Sequence, residues 1–193
     1  MTSLYDLTIP AITRVVQTEV TLLKKAEEHA KSIGKSAEEY VKARLAPDMF
    51  PLSLQVVVTV IYSQKAIQYL AGGAAPTVEI KEYTLEESYG LLNDTLAALA
   101  AVKPESINGK EAETVQFNIS KRTTSAPAIE WYDIPFPYMV ISIANSFAVL
   151  LTRFILPTVY FHVTTLYDIL RAEGVPLGKH DFLTHLIEGW ELS

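Results

Sequence analysis

The stretch "LPTVYFHVTTLYDILRAEG" (residues 156–174) sets one histidine, His162, in a run of apolar residues at helical spacing. An imidazole titrating near its ordinary value can move a proton at neutral pH, orient a substrate, ligate a metal or make a structural hydrogen bond. On a helix, Val159, Val163, Leu166, Tyr167 and Leu170 define a core face. His162 lies roughly 100° from its centre at 3.6 residues per turn. That flank either opens onto a cavity or sits at the core boundary, so a chemical and a structural role both stand.

Glu19 is the second anomaly. It falls within roughly 20° of the centre of a helical stripe made by Ile12, Val15, Val16, Leu22, Leu23, Ala26 and Ala30. A buried carboxylate pairs, protonates or reaches water. Arg153 is a candidate partner; a cavity-facing position with a raised pKa would suit acid–base work. Gln55, Thr59 and Tyr62 recur at i, i+4, i+7 on an otherwise apolar helix, as one wall of a cavity or as ordinary helix–helix hydrogen bonds. Tyr62 or Tyr167 could hold a substrate oxygen through its phenol. Trp131, with Tyr132, either anchors a β segment or lids a pocket. On the chemical reading His162 transfers a proton and Glu19 charges or orients it. Gln55, Thr59, Tyr62, Tyr167 and Trp131 then contact the substrate.

A metal centre has less to stand on. The other histidines are His29, in the polar segment "KKAEEHAKS", and His180 and His185, whose i, i+5 spacing does not share a helix face. A three-ligand site needs donors converging within about 2.0–2.2 Å of the ion. There is no cysteine, which excludes disulfides, thiolate catalysis and sulfur-bound zinc. No P-loop, dinucleotide fingerprint, nucleophile elbow, EF-hand or H-E-x-x-H motif occurs. No metal and no cofactor is therefore expected.

The elements that must position these residues are helices. Of the 193 residues 49% are hydrophobic and 20% charged, a globular balance, and the net charge of −6 argues against a nucleic-acid or anionic-membrane partner. The start, "MTSLYDLTIPAITRVV", lacks the basic residues and apolar run of an export signal, so a cytoplasmic location is expected. The run "YMVISIANSFAVLLTRFIL" is broken by Asn145, Ser146 and Arg153 and reads as a buried helix rather than a membrane span.

The first long helix is expected to start near Pro10 and stop near Gly34. A short one follows in "KSAEEYVKARLA", with Ser36 as a cap. The second long helix runs through the β-branched stretch Val56–Ile61, with Asp48 capping it, Pro51 in its first turn and Gly72-Gly73 closing it. "TLEE" at Thr84–Glu87 is a capping box opening the third, with Leu85, Tyr89, Leu92, Leu96 and Leu99 on its core face. From Lys103 to Pro135 the helical period gives way to alternation in "TVQFNIS", which can pair with "PAIEWYDI" as a ribbon. The fourth helix spans about Tyr138 to Ala172, with a kink or break at Pro157. Residues 175–193 make a closing tail in which Asp181 caps a short helix. The expectation is one all-α domain over 1–193, an up-down-up-down four-helix bundle with a β-hairpin excursion at about 103–135.

The segments "SLYDLTIPAI", "RLAPDMFPLSLQV", "YFHVTTLYDILR" and "GVPLGKHDFL" resemble the DUF1993 family, whose fold is placed with the DinB/YfiT-like helical bundles. The resemblance implies that bundle. The wider superfamily is associated with metal sites of three histidines on the bundle helices. Here His162 is the one match: Leu166 stands four residues later, and the second long helix has no histidine.

Two functions follow. The first is an enzyme or binder for a small apolar or aromatic metabolite, with an apolar bundle cavity and metal-independent isomerisation, dehydration or cyclisation. The alternative is a non-catalytic scaffold using the bundle for homodimer or partner contacts; a DinB-like metal enzyme ranks behind both.

Overall fold

In the computed structural model, residues 3–110, 113–115, 145–146 and 150–189 are described. The first helix, α1 (Leu4–Ser32), starts before Pro10. Ser3 and Asp6 make a reciprocal capping box there: Asp6 N–H donates to Ser3 Oγ at 3.2 Å, and Ser3 N–H to Asp6 Oδ2 at 3.0 Å. That start signal outweighs the proline, which stays inside the helix and forfeits one backbone bond, the one to the Asp6 carbonyl.

A short α2 (Glu38–Lys42) follows, with Glu38 N–H donating to Ser36 Oγ at 3.3 Å. The β-branched stretch is helical, in α3 (Leu52–Ala71). Asp48 lies in the preceding turn and does not cap it; Pro51 is the N-cap residue, because its extended backbone (φ −66°, ψ 167°) already sets the entry. Gly72 closes α3 at φ 75°, a left-handed conformation that favours glycine. The Thr84–Glu87 box opens α4 (Leu85–Ala100) as expected, with Leu85, Leu92 and Leu99 buried.

The expected β-hairpin is not seen among the described residues, and most of its span, 116–135, lies outside them. The described residues hold one antiparallel pairing of β1 (Thr114–Val115) with β2 (Asn145–Ser146). The expected strand partner "PAIEWYDI" lies outside the described residues. Asn145 and Ser146 were expected inside the fourth helix. They form the strand β2 instead. Helical structure resumes by Leu150, with a π turn at Leu151–Ile155 running directly into α5 (Leu156–Ala172). The wider turn falls immediately before Pro157, whose nitrogen cannot donate, so the chain changes pitch there rather than breaking. A last short helix, α6 (Lys179–Leu183), is capped by Asp181, which accepts from Gly178 N–H at 2.6 Å.

The four long helices α1, α3, α4 and α5 form an all-α bundle. Both α1 and α3 pack on α4 and on α5, so α1 and α3 face each other across the diagonal. One cluster of Ile, Leu and Val fills the centre, including Ile12, Val16, Leu22, Val58, Leu92 and Leu166. The tail is tied back by Lys25–Asp181 (2.6 Å), by Thr21 Oγ1 to His185 Nε2 (2.8 Å) and by the edge-on rings of Tyr167 and Phe182. No helix among the described residues is long and apolar enough to cross a membrane.

Candidate functional site: a polar spine on the second long helix

Buried hydroxyls are common in this bundle, and most are satisfied at home. Thr8, Thr18, Ser63, Ser88, Thr95 and Thr165 each donate to the carbonyl four residues back in their own helix, at 2.7–2.9 Å. Two side chains of α3 do otherwise. Thr59 Oγ1 donates across the diagonal to Glu19 Oε1 on α1 at 2.6 Å. One turn earlier, Gln55 Oε1 lies 2.6 Å from His162 Nδ1 on α5. Sequence spacing placed Gln55 and Thr59 on one line; the bundle turns that line into a spine joining three helices.

The Gln55–His162 pair fixes a tautomer. The Gln55 amide nitrogen donates to the Phe50 carbonyl at 2.9 Å, which leaves its oxygen facing the ring. A carbonyl oxygen only accepts, so Nδ1 carries the hydrogen and Nε2 the lone pair. His162 is 9% exposed, and burial lowers its pKa from 6.5 to about 4. The ring is neutral at physiological pH, and the exposed Phe161 ring meets it edge-on at 5.1 Å.

Glu19 has no exposure. Burial raises its carboxyl well above the ordinary 4.5, opposed in part by the Thr59 hydrogen bond. It is therefore a neutral acid in the core. Its Oε2 has no hydrogen-bond partner among the described residues, and the same is true of Ser53 Oγ at the start of α3. Arg153, the partner considered from sequence, is exposed. Glu19 is bonded to Thr59 and His162 to Gln55; no hydrogen bond joins the carboxyl to the imidazole.

The remaining candidates lie around this spine. Tyr62 is buried, edge-on to Phe154 at 5.5 Å, with the Lys65 ammonium 4.6 Å from its ring centre. Tyr167 is half-buried, its ring edge-on to Phe182 at 5.8 Å. Trp131 lies outside the described residues. His29 is not free on the surface: its Nδ1 bonds the Tyr40 hydroxyl at 3.0 Å. The hydroxyl network and the Ser53 orphan could not be found from periodicity, because a small hydroxyl residue on a helix reads the same whether or not it is satisfied locally.

A family model described as "Domain of unknown function (DUF1993)" matches residues 4–183. The chain belongs to the DUF1993 family. No curated protein matches it. Among solved structures it is similar to a crystal structure of a DinB family member from Shewanella denitrificans. The identity is 25% and the TM-score 0.76, over 98% of this chain and 96% of that one. The DUF1993 chain thus shares a DinB-like helical bundle.

The donor set of this DUF1993 bundle does not fit the metal that such bundles suggest. Among the described residues no three His, Asp or Glu side chains converge. Gln55 Oε1 is engaged by His162, Glu19 is a neutral acid held by Thr59, and Leu166 follows His162 by one turn. A hard or borderline cation needs deprotonated, convergent donors. Here the spine is two neutral hydrogen-bonded pairs.

Proposed function

We propose that this DUF1993 protein is a single-domain, metal-independent binder of a small apolar or aromatic molecule, working in the cytoplasm, with His162 as its reading group. The observation that carries the reading is the Gln55–His162 hydrogen bond. It presents Nε2 as a fixed, uncharged acceptor at a position that retains 9% exposure. Such an atom selects a ligand O–H or N–H donor, and a buried acceptor left unpaired by the wrong ligand costs about 1–3 kcal/mol. An isomerisation, dehydration or cyclisation at this ring would run with a base whose pKa is about 4. General bases work best when their pKa lies near the operating pH, so binding is the stronger reading.

The test is a titration of 15N-histidine-labelled protein with phenol and with anisole, its methyl ether. Binding predicts that phenol moves the His162 Nε2 resonance and raises the melting temperature, while anisole does neither. If neither compound perturbs His162, the binder reading fails.

One observation favours a second reading, a non-catalytic scaffold that makes homodimer or partner contacts. Glu19 is wholly enclosed, and two surface recesses, one beside His29 and Val175 and one beside Pro10 and Arg14, are lined by neither Glu19 nor His162. On that reading the spine sets helix register, the best-attested use of buried polar groups.

A further inference from the structure

A recess of about 280 Å³ lies on the outside of the bundle, where the first half of α1 meets the end of α4. Its accessible apolar lining comes from Tyr5, Pro10 and Ala100, with the buried Ile9 and Leu99 behind them; Arg14, Gln17 and Glu188 bring polar groups to the same space. Pro10, Thr13, Arg14 and Gln17 follow at i, i+3, i+4 and i+7, so one helix face supplies this whole wall.

Arg14 is the anomaly there. It is half-buried, yet no carboxylate stands within 4.0 Å of it among the described residues, although the chain carries 22 acidic residues against 16 basic ones. The aspartate and glutamate nearest in sequence are already engaged: Asp6 in its capping box and Glu19 in the core. Glu188 lies at the rim with a largely exposed side chain and leans towards His185 at 3.8 Å. Thr13 has donated its hydroxyl to Ile9, so Arg14 and Gln17, with the Tyr5 phenol, are the side-chain donors this helix brings to the recess.

We propose that this recess is a binding site for a small carboxylate with an apolar or aromatic body, its carboxyl paired with the Arg14 guanidinium. The planar fork of arginine matches a carboxylate in bidentate geometry, with Gln17 adding a donor one turn on. Tyr5, Pro10 and Ala100 receive the body, with the Ile9 and Leu99 side chains directly behind them. Glu188 opposes an anion, which keeps affinity low and makes the pairing specific to a ligand that satisfies Arg14 fully. The site is separate from His162 and uses a different chemical handle, a charge rather than a neutral donor.

The experiment is a calorimetric and NMR titration of the full chain with benzoate and with benzyl alcohol, its uncharged counterpart. Benzoate is expected to bind and to shift the Ile9 and Leu99 methyl resonances; benzyl alcohol is expected to bind at least about tenfold more weakly, the equivalent of 1.4 kcal/mol. Arg14→Gln should remove the difference between the two probes, Arg14→Lys should keep part of it, and Glu188→Gln should tighten benzoate. Equal binding of both probes to the unaltered protein, or no shift at Ile9 and Leu99, overturns the proposal without requiring any variant to fold. Phenol acting at His162 leaves these methyls still, so the two sites fail independently.

Discussion

Thr59 on α3 and Glu19 on α1 join the two helices that face each other across the bundle diagonal through one 2.6 Å hydrogen bond. Of the other buried serine and threonine hydroxyls named above, all but the unpartnered Ser53 donate within their own helices. Thr59→Val should therefore strip a fully buried acid of its donor, at about 1–3 kcal/mol. Thr95→Val, whose hydroxyl only supplements a carbonyl of its own helix, should cost well under that. Urea unfolding of the two variants measures the contrast.

The Glu19 acid also makes stability decline with rising pH. Its folded pKa lies well above the unfolded 4.5, so the folded state holds a proton that the unfolded state releases. Stability from this group is present below about pH 4.5 and falls as pH rises through the folded pKa. Glu19→Gln should flatten the decline. An unchanged slope in the variant would mean that some other group is responsible.

His162 acts in the opposite direction. Its folded pKa of about 4 lies below the unfolded 6.5, so its contribution is complete above pH 6.5 and is lost as pH falls towards 4. A difference of that size corresponds to about 3 kcal/mol. His162→Leu should remove this acid limb, whatever it does to stability at pH 7. Denaturant midpoints between pH 4 and 7 decide it.

Gln55→Glu replaces the neutral oxygen 2.6 Å from His162 Nδ1 by a carboxylate. An adjacent negative charge favours the imidazolium, so the His162 pKa should rise from about 4 towards or above its ordinary value. Histidine 15N shifts followed against pH read this directly. In the unaltered protein they should show the Nδ1–H tautomer at pH 7.

Asp181 holds the tail in two ways, pairing with Lys25 at 2.6 Å and accepting the Gly178 N–H, which together keep its carboxyl below the usual range. Asp181→Ala should raise hydrogen exchange across Lys179–Leu183 more than Lys25→Ala does. A half-exposed ion pair alone is worth at most about 1 kcal/mol.

Helix number, the Thr84–Glu87 cap, the glycine stop after Ala71 and the apolar face of α5 were legible in the sequence, because each depends on neighbours within a turn or two. The same local logic misplaced the start of α1, where the Ser3 cap upstream of Pro10 prevails, and it read Asn145-Ser146 as helix. Periodicity marked Glu19, His162 and the Gln55–Thr59 line as anomalous without pairing them. Which polar group meets which was decided only when α1, α3 and α5 packed side by side. Hydrogen-bond partners separated by 40 and 107 residues are chosen by helix rotation and register, quantities that no local pattern carries.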